Sequence, residues 1–232
     1  MQKAVFVALA CGACVSAASA DVVLSDTDFT NSNWALETVV SGPTGNTGSA
    51  SGAQSVATGN PGNARRVTLT TGGSFGDTVS ALSRYGTTQA TRYDPATQGA
   101  FSSVSWTIDA RFVTGTFTGA GQGLLLGLKQ GTIIYGADYH TTGSSGSWGT
   151  FSAAGLTAAS FTRLDGGVGT PDFSAAGLPI RFGFISGNSN GGGQYSTTVD
   201  YDNFSVTVVQ VPTPGAVGLA GVGVLAACRR RR

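Results

Sequence analysis

The chain has 232 residues, of which 36 are glycine and only 11% are charged. That length suffices for one sizeable core, and that composition excludes both a helical bundle and a charge-rich disordered chain. Five of the 13 basic residues are Lys3 and Arg229 to Arg232, so from Asp21 to Asp202 eight basic residues face twelve acidic ones, a formal −4 behind the whole-chain +1. An acidic domain of this kind is not expected to bind nucleic acid, which needs clustered Lys and Arg.

The first 20 residues predict a secretory signal peptide. Lys3 supplies the positive start, Ala4 to Val15 an apolar run, and Ala18-Ser19-Ala20 the small-x-small cleavage pattern. Cleavage is expected after Ala20, at the residues Ala18 and Ala20. Its implied partners are the secretion translocon and signal peptidase. All three cysteines, Cys11, Cys14 and Cys228, lie in the apolar ends. The middle therefore offers no disulfide, no thiolate nucleophile and no Cys-ligated metal.

Residues 21–210 read as one all-β domain. Strands are expected at Asp21 to Ser25, Trp34 to Val40 and Arg65 to Thr70. Arg65-Arg66, the only basic pair of the middle, reads as a solvated strand edge. Phe101 to Val113 gives the clearest signal: Val104, Trp106, Ile108, Ala110 and Phe112 alternate with Ser105, Thr107, Asp109 and Arg111. Period-2 alternation puts the first set on a core face. Gly123 to Lys129, Gly131 to Ala137, a strand around Ile180, Phe182 and Phe184, and Thr197 to Gln210 complete the set. In the last of these Val199 and Tyr201 are out of phase with Phe204, Val206 and Val208, which predicts a bulge near Asp202-Asn203. Short helical pieces are expected at Ser174 to Ala176 and Ala153 to Leu156. Ser41 to Gly52 and Ser186 to Gly193 read as Gly/Ser/Asn-rich loops. Many short strands between turns predict a two-sheet antiparallel sandwich of jelly-roll type, with the first and last strands paired.

Asp28-Phe29 with Trp34, and Asp202-Asn203-Phe204-Ser205-Val206, resemble the opening and closing strands of jelly-roll domains, lectin-like and carbohydrate-binding modules among them. The resemblance covers a few residues at each end and implies the sandwich more than any ligand.

Residues 211–232 differ in kind. Val211-Pro212-Thr213-Pro214 is followed by 14 uncharged residues, Gly215 to Cys228, and then by Arg229, Arg230, Arg231 and Arg232. As a helix the apolar piece would measure about 21 Å, short of the ~30 Å hydrocarbon core. Arginines that snorkel to the headgroups extend its reach and set the C-terminus on the cytoplasmic side. This tail resembles a PEP-CTERM sorting signal, with Thr213 where that family usually shows Glu. The resemblance implies a short transmembrane sorting helix and cutting near Pro212 to Pro214 by an exosortase-type transpeptidase. It also implies an inner-membrane anchored precursor whose domain passes to the cell surface or extracellular matrix.

Catalytic residues are scarce. The chain has one His, His140, and one Glu, Glu37. A Ser-His-Asp triad would need His140, and a glycosidase would need a second carboxylate beside Glu37. The expectation is therefore a non-enzymatic protein with a structural or adhesive role. The alternative is a carbohydrate-binding module acting on extracellular polysaccharide, and a glycan-active enzyme is a distant third. Sugar stacking would use Trp148, Tyr135 or Tyr139, whereas Trp34 and Trp106 read as core. No cofactor is expected beyond Ca²⁺, for which Asp26, Asp28, Asp200 and Asp202 are the candidate oxygen ligands.

Overall fold

The computed structural model describes residues 20–42, 47–87, 91–116 and 121–212. Of the sequence-predicted addressing elements, Ala20, Val211 and Pro212 are described, exposed and outside the strands. Ala18, Thr213, Pro214, the apolar run and Arg229 to Arg232 lie outside the described residues. No helix among the described residues is long and apolar enough to cross a membrane.

Asp21–Gln210 forms one compact unit of twelve strands. In chain order they are β1 (Val22–Asp26), β2 (Trp34–Ser41), β3 (Ser49–Gly59), β4 (Gly62–Thr70), β5 (Thr78–Tyr85), β6 (Phe101–Gly115), β7 (Gly123–Gln130), β8 (Ile133–Thr141), β9 (Gly149–Leu156), β10 (Thr162–Arg163), β11 (Ile180–Ser189) and β12 (Ser196–Gln210). A single helical turn, α1 (Pro95–Gln98), precedes β6, with Asp94 as its N-cap accepting from the Ala96 amide.

The strands form two six-stranded antiparallel sheets. The first has the order β3-β4-β12-β6-β9, with β1 beside the far half of β12. The second has the order β10-β8-β7-β11-β5-β2. Most connections cross from one sheet to the other, the wrapping connectivity of a jelly roll, and the first strand pairs with the last.

Alternation explains how the faces sort. On β6, Val104, Trp106, Ile108 and Ala110 are buried in the core between the sheets, while Ser102 is exposed and Ser103, Ser105 and Thr107 are half-buried. On β12 the register against β6 slips between Asp202 and Ser205, and Asn203 takes a positive φ of 52°. That bulge turns Val199 and Tyr201 before it, and Phe204, Val206 and Val208 after it, into one core. From the second sheet, Trp34, Val79, Ala81, Leu124, Leu126, Leu128, Phe182 and Phe184 meet them.

Several elements correct the sequence reading. Ala153 to Leu156 is part of strand β9, not a helix, because its small residues pair with β6. Ser174 to Ala176 is a turn closed by Gly177 N–H donating to the Ser174 carbonyl. Ser49 to Gly52 opens β3, and Ser186 to Ser189 continues β11. Arg65-Arg66 lies on β4, between β3 and β12, rather than at a solvated edge. Arg65 is buried: its Nε donates to Ser83 Oγ at 3.0 Å, and its guanidinium lies 5.4 Å from the Trp34 ring centroid. Burial lowers its pKa to about 10. Arg66 donates twice to Asp200, at 2.7 and 2.8 Å.

A candidate ligand-binding face

The outward face of the second sheet is built from residues that alternate with its core set. On β7 these are Gly123, Leu125, Gly127 and Lys129; on β11, Arg181, Gly183, Ile185, Gly187 and Ser189; on β5, Thr78, Ser80, Leu82 and Arg84. Backbone rather than side chain forms much of its centre. A Cβ added at Gly127 would lie 2.6 Å from Leu82 and 2.8 Å from Ile185. Those two side chains are thus buried, though they point away from the core, because they fill the space that glycine leaves.

Tyr139 stands at one end of this face. Period-2 counting would put it on the same side as Tyr135 and Ala137, which are in the core. A bulge in β8 intervenes: the register with β7 slips between Leu124 and Leu126, and Asp138 takes a φ of 57°. The Asp138 carboxylate is held in place by Trp106 Nε1, which donates at 3.0 Å, and by His140 Nε2 at 2.8 Å. The one histidine therefore serves to pin the bulge. It packs beside Trp106 and Phe151, with ring centroids at 6.4 and 5.5 Å.

The bulge leaves Tyr139 66% exposed, directly over Gly123. A Cβ on Gly123 would lie 3.0 Å from the tyrosine ring. Beneath and beside the ring is a depression of about 330 Å³ that Gly123 and Gly187 help to line. Its walls are hydroxyl-bearing: Thr78, Ser80, Thr141, Ser189 and Tyr195. Tyr195 donates to the Ser189 carbonyl at 2.9 Å, and partial burial raises its pKa. Among the described residues no charged side chain lines this end. An exposed ring beside a shallow, neutral, hydroxyl-rich trough can stack a flat apolar ligand face and exchange hydrogen bonds with its rim.

The other expected site residues are elsewhere. Tyr135 is buried at 5% exposure in the core and offers no platform. Trp148 is half-buried, and the Arg111 guanidinium covers it at 4.8 Å from the ring centroid. Arg111 belongs to β6 of the first sheet, so Trp148 and Tyr139 do not share a face with one ligand.

The four carboxylates expected to hold Ca²⁺ are each engaged separately. Asp26 accepts from the amides of Asp28 and Phe29 and from Trp34 Nε1, closing the turn before β2. Asp28 accepts from Thr30 and Asn63, whose hydrogen bonds lower its pKa. Asp200 is fully buried between the guanidiniums of Arg66 and Arg111. Asp202 accepts from the amides of Asn60 and Asn203 at the β12 bulge, and burial raises its pKa. Among the described residues no group of three or more His, Cys, Asp or Glu side chains is placed to hold a metal ion. Glu37 accepts from Lys129 and faces Arg84 at 2.9 Å, on the outer face far along the strands from Tyr139.

No protein-family model and no curated protein matches this chain. Solved structures do resemble it. The family 11 carbohydrate-binding module from Clostridium thermocellum, in complex with a β-1,3-1,4-mixed-linked tetrasaccharide, is 15% identical with a TM-score of 0.44, covering 82% of this chain and 96% of that one. The CBM22-1 xylan-binding domain of Paenibacillus barcinonensis Xyn10C is 12% identical with a TM-score of 0.43, covering 84% and 99%. At these levels the likeness transfers no residue, ligand or site, and the class defined by the geometry is a two-sheet sandwich with an aromatic-flanked trough on one outer face.

Proposed function

We propose that the domain is a non-catalytic carbohydrate-binding module that takes a glycan on the outer face of its second sheet. The observation that carries this reading is Tyr139: a bulge held by Asp138, His140 and Trp106 turns an aromatic ring out of the core and lays it over a glycine. A purely structural or adhesive surface has no need of such a ring, so the binding reading is preferred to the structural one. Catalysis is not part of the proposal, since Glu37 is engaged by two cations and His140 by Asp138. The test is isothermal titration of the full chain with cello-, xylo- and galacturono-oligosaccharides. Saturable heat with at least one series, lost in Tyr139→Ala, supports the reading; no heat with any of them would overturn it.

The addressing reading is part of the same proposal. The small-x-small pattern ending at Ala20 and the Pro-motif, apolar run and Arg229 to Arg232 support export and sorting to the cell surface or extracellular matrix. Extracellular polysaccharide would be the ligand met there. The intact mass of the mature protein tests it: termini at Asp21 and near Pro212 to Pro214 are expected, and a chain retaining Arg232 would contradict it.

A further inference from the structure

The outer face of the second sheet changes character along its strands. Away from Tyr139 it carries Arg84, Arg92, Lys129 and Arg181 around a second depression of about 350 Å³. These are half of the eight basic residues between Asp21 and Asp202. The other four are engaged elsewhere: Arg65 in the core, Arg66 and Arg111 with Asp200, and Arg163 with Asp165.

Two carboxylates face the four cations. Glu37 meets Arg84 and Lys129, and Asp94 lies 3.7 Å from Arg92. Two positive charges remain in excess, on a domain whose formal charge is −4. Arg181 donates to the carbonyls of Gly86 at 3.1 Å and Thr87 at 3.5 Å. Burial, and then the charges of Arg84 and Arg92, lower its pKa against the opposing pull of Glu37. The local field is therefore positive where a domain of this composition would be expected to be negative.

The same two strands, β7 and β11, run from one depression to the other. Lys129 lies six positions after Gly123 on β7, and Gly187 six positions after Arg181 on β11. At about 3.4 Å per residue that is about 20 Å, room for several sugar rings in line. Between the two depressions Leu82, Leu125 and Ile185 lie over Gly127 and Gly136, with Leu82 and Ile185 themselves buried.

We propose that the ligand of this face is an acidic polysaccharide, with one ring on Tyr139 and carboxylate groups at Arg181, Arg84 and Lys129. The inference rests on the carbohydrate reading above. Guanidinium forks match carboxylates in geometry as well as in charge, and a neutral glycan gives such a cluster nothing to neutralise.

The experiment is affinity electrophoresis of the full chain in gels containing polygalacturonate or, in parallel, mixed-linked β-glucan. Retardation by polygalacturonate at 50 mM NaCl, relieved at 500 mM, is expected, with little by β-glucan. Arg181→Gln and Lys129→Gln should each weaken binding roughly fivefold. Arg181→Lys, which keeps the charge but not the fork, should fall between the parent and Arg181→Gln, and Thr97→Gln, on the exposed α1 turn, should keep full binding. Equal retardation by both polymers, with the charge variants silent and Tyr139→Ala defective, would overturn the acidic-ligand inference and leave the binding face standing. No retardation by either, with correct folding shown by circular dichroism, would overturn both.

Discussion

The Tyr139 trough makes a prediction in which binding and stability separate. The ring is 66% exposed and contributes little to the core, so Tyr139→Ala should change the unfolding free energy by no more than ~0.5 kcal/mol. A sugar stacked on one face would cover about 60 Å² of apolar ring, which at about 25 cal/mol per Å² is about 1.5 kcal/mol, or roughly tenfold in affinity. Gly123→Ala probes the same geometry from below. Its Cβ would come within 3.0 Å of the ring and 3.2 Å of the Gly187 carbonyl. The exposed ring can swing away at little cost to the fold, yet it then no longer flanks the trough, so binding should fall by a similar factor. Tyr139→Phe keeps the stack and should lose at most about threefold, the scale of one hydrogen bond to solvent-exposed hydroxyl. Titration calorimetry and urea unfolding of the same samples report the two quantities. A Tyr139→Ala protein that binds normally, or one that loses several kcal/mol of stability, would refute the reasoning.

Two further predictions concern the frame. Arg65 holds a charge between the sheets, and burial depresses its pKa from the ordinary arginine range to about 10, a desolvation cost on the order of 3 kcal/mol. Because the folded state holds the proton less tightly than the unfolded one, this penalty is fully present below about pH 10 and fades as the pH rises above it toward the ordinary arginine pKa. Arg65→Met, which keeps the packed stem, should therefore leave stability at neutral pH unchanged or raise it by about 1–3 kcal/mol in chemical unfolding; a loss beyond ~2 kcal/mol would show that the Ser83 and Trp34 contacts outweigh desolvation. Gly183→Ala should cost about 3 kcal/mol or more, since the new Cβ would sit 2.0 Å from the Ser83 carbonyl oxygen of the neighbouring strand; a midpoint within ~0.5 kcal/mol of the parent would mean that β5 and β11 separate easily.

The sequence was most legible where large apolar residues alternate with polar ones. β6, β11 and the bulge of β12 follow from parity alone, because a one-residue slip moves whole sets of side chains between core and solvent. β3, β5 and β9 were missed because Ser, Ala, Gly and Thr dominate them and bury little area per residue. β5 inverts the usual signal as well, with Ser83 facing the core and Leu82 facing outward over glycine. The same physics governed the site. Tyr135 and Tyr139 are both candidate platforms in the sequence, four residues apart, and in the structure, where both lie on β8, the Asp138 bulge separates them. A trace of that bulge exists in the local Asp-Tyr-His order, since a short carboxylate tolerates positive φ and the following histidine can hold it. The basic cluster left no trace, for Arg84, Arg92, Lys129 and Arg181 come together only through strand order. Trp148, prominent by composition, lies under Arg111 of the other sheet.

The most direct test of the binding face is amide chemical-shift mapping of the ¹⁵N-labelled protein during titration with galacturonan oligosaccharides. The account predicts that the largest shifts fall on Gly123, Tyr139, Thr141 and Gly187, extending along β7 and β11 toward Lys129 and Arg181. Shifts confined to the first sheet around Arg111 and Trp148, or absent at saturating ligand, would contradict it.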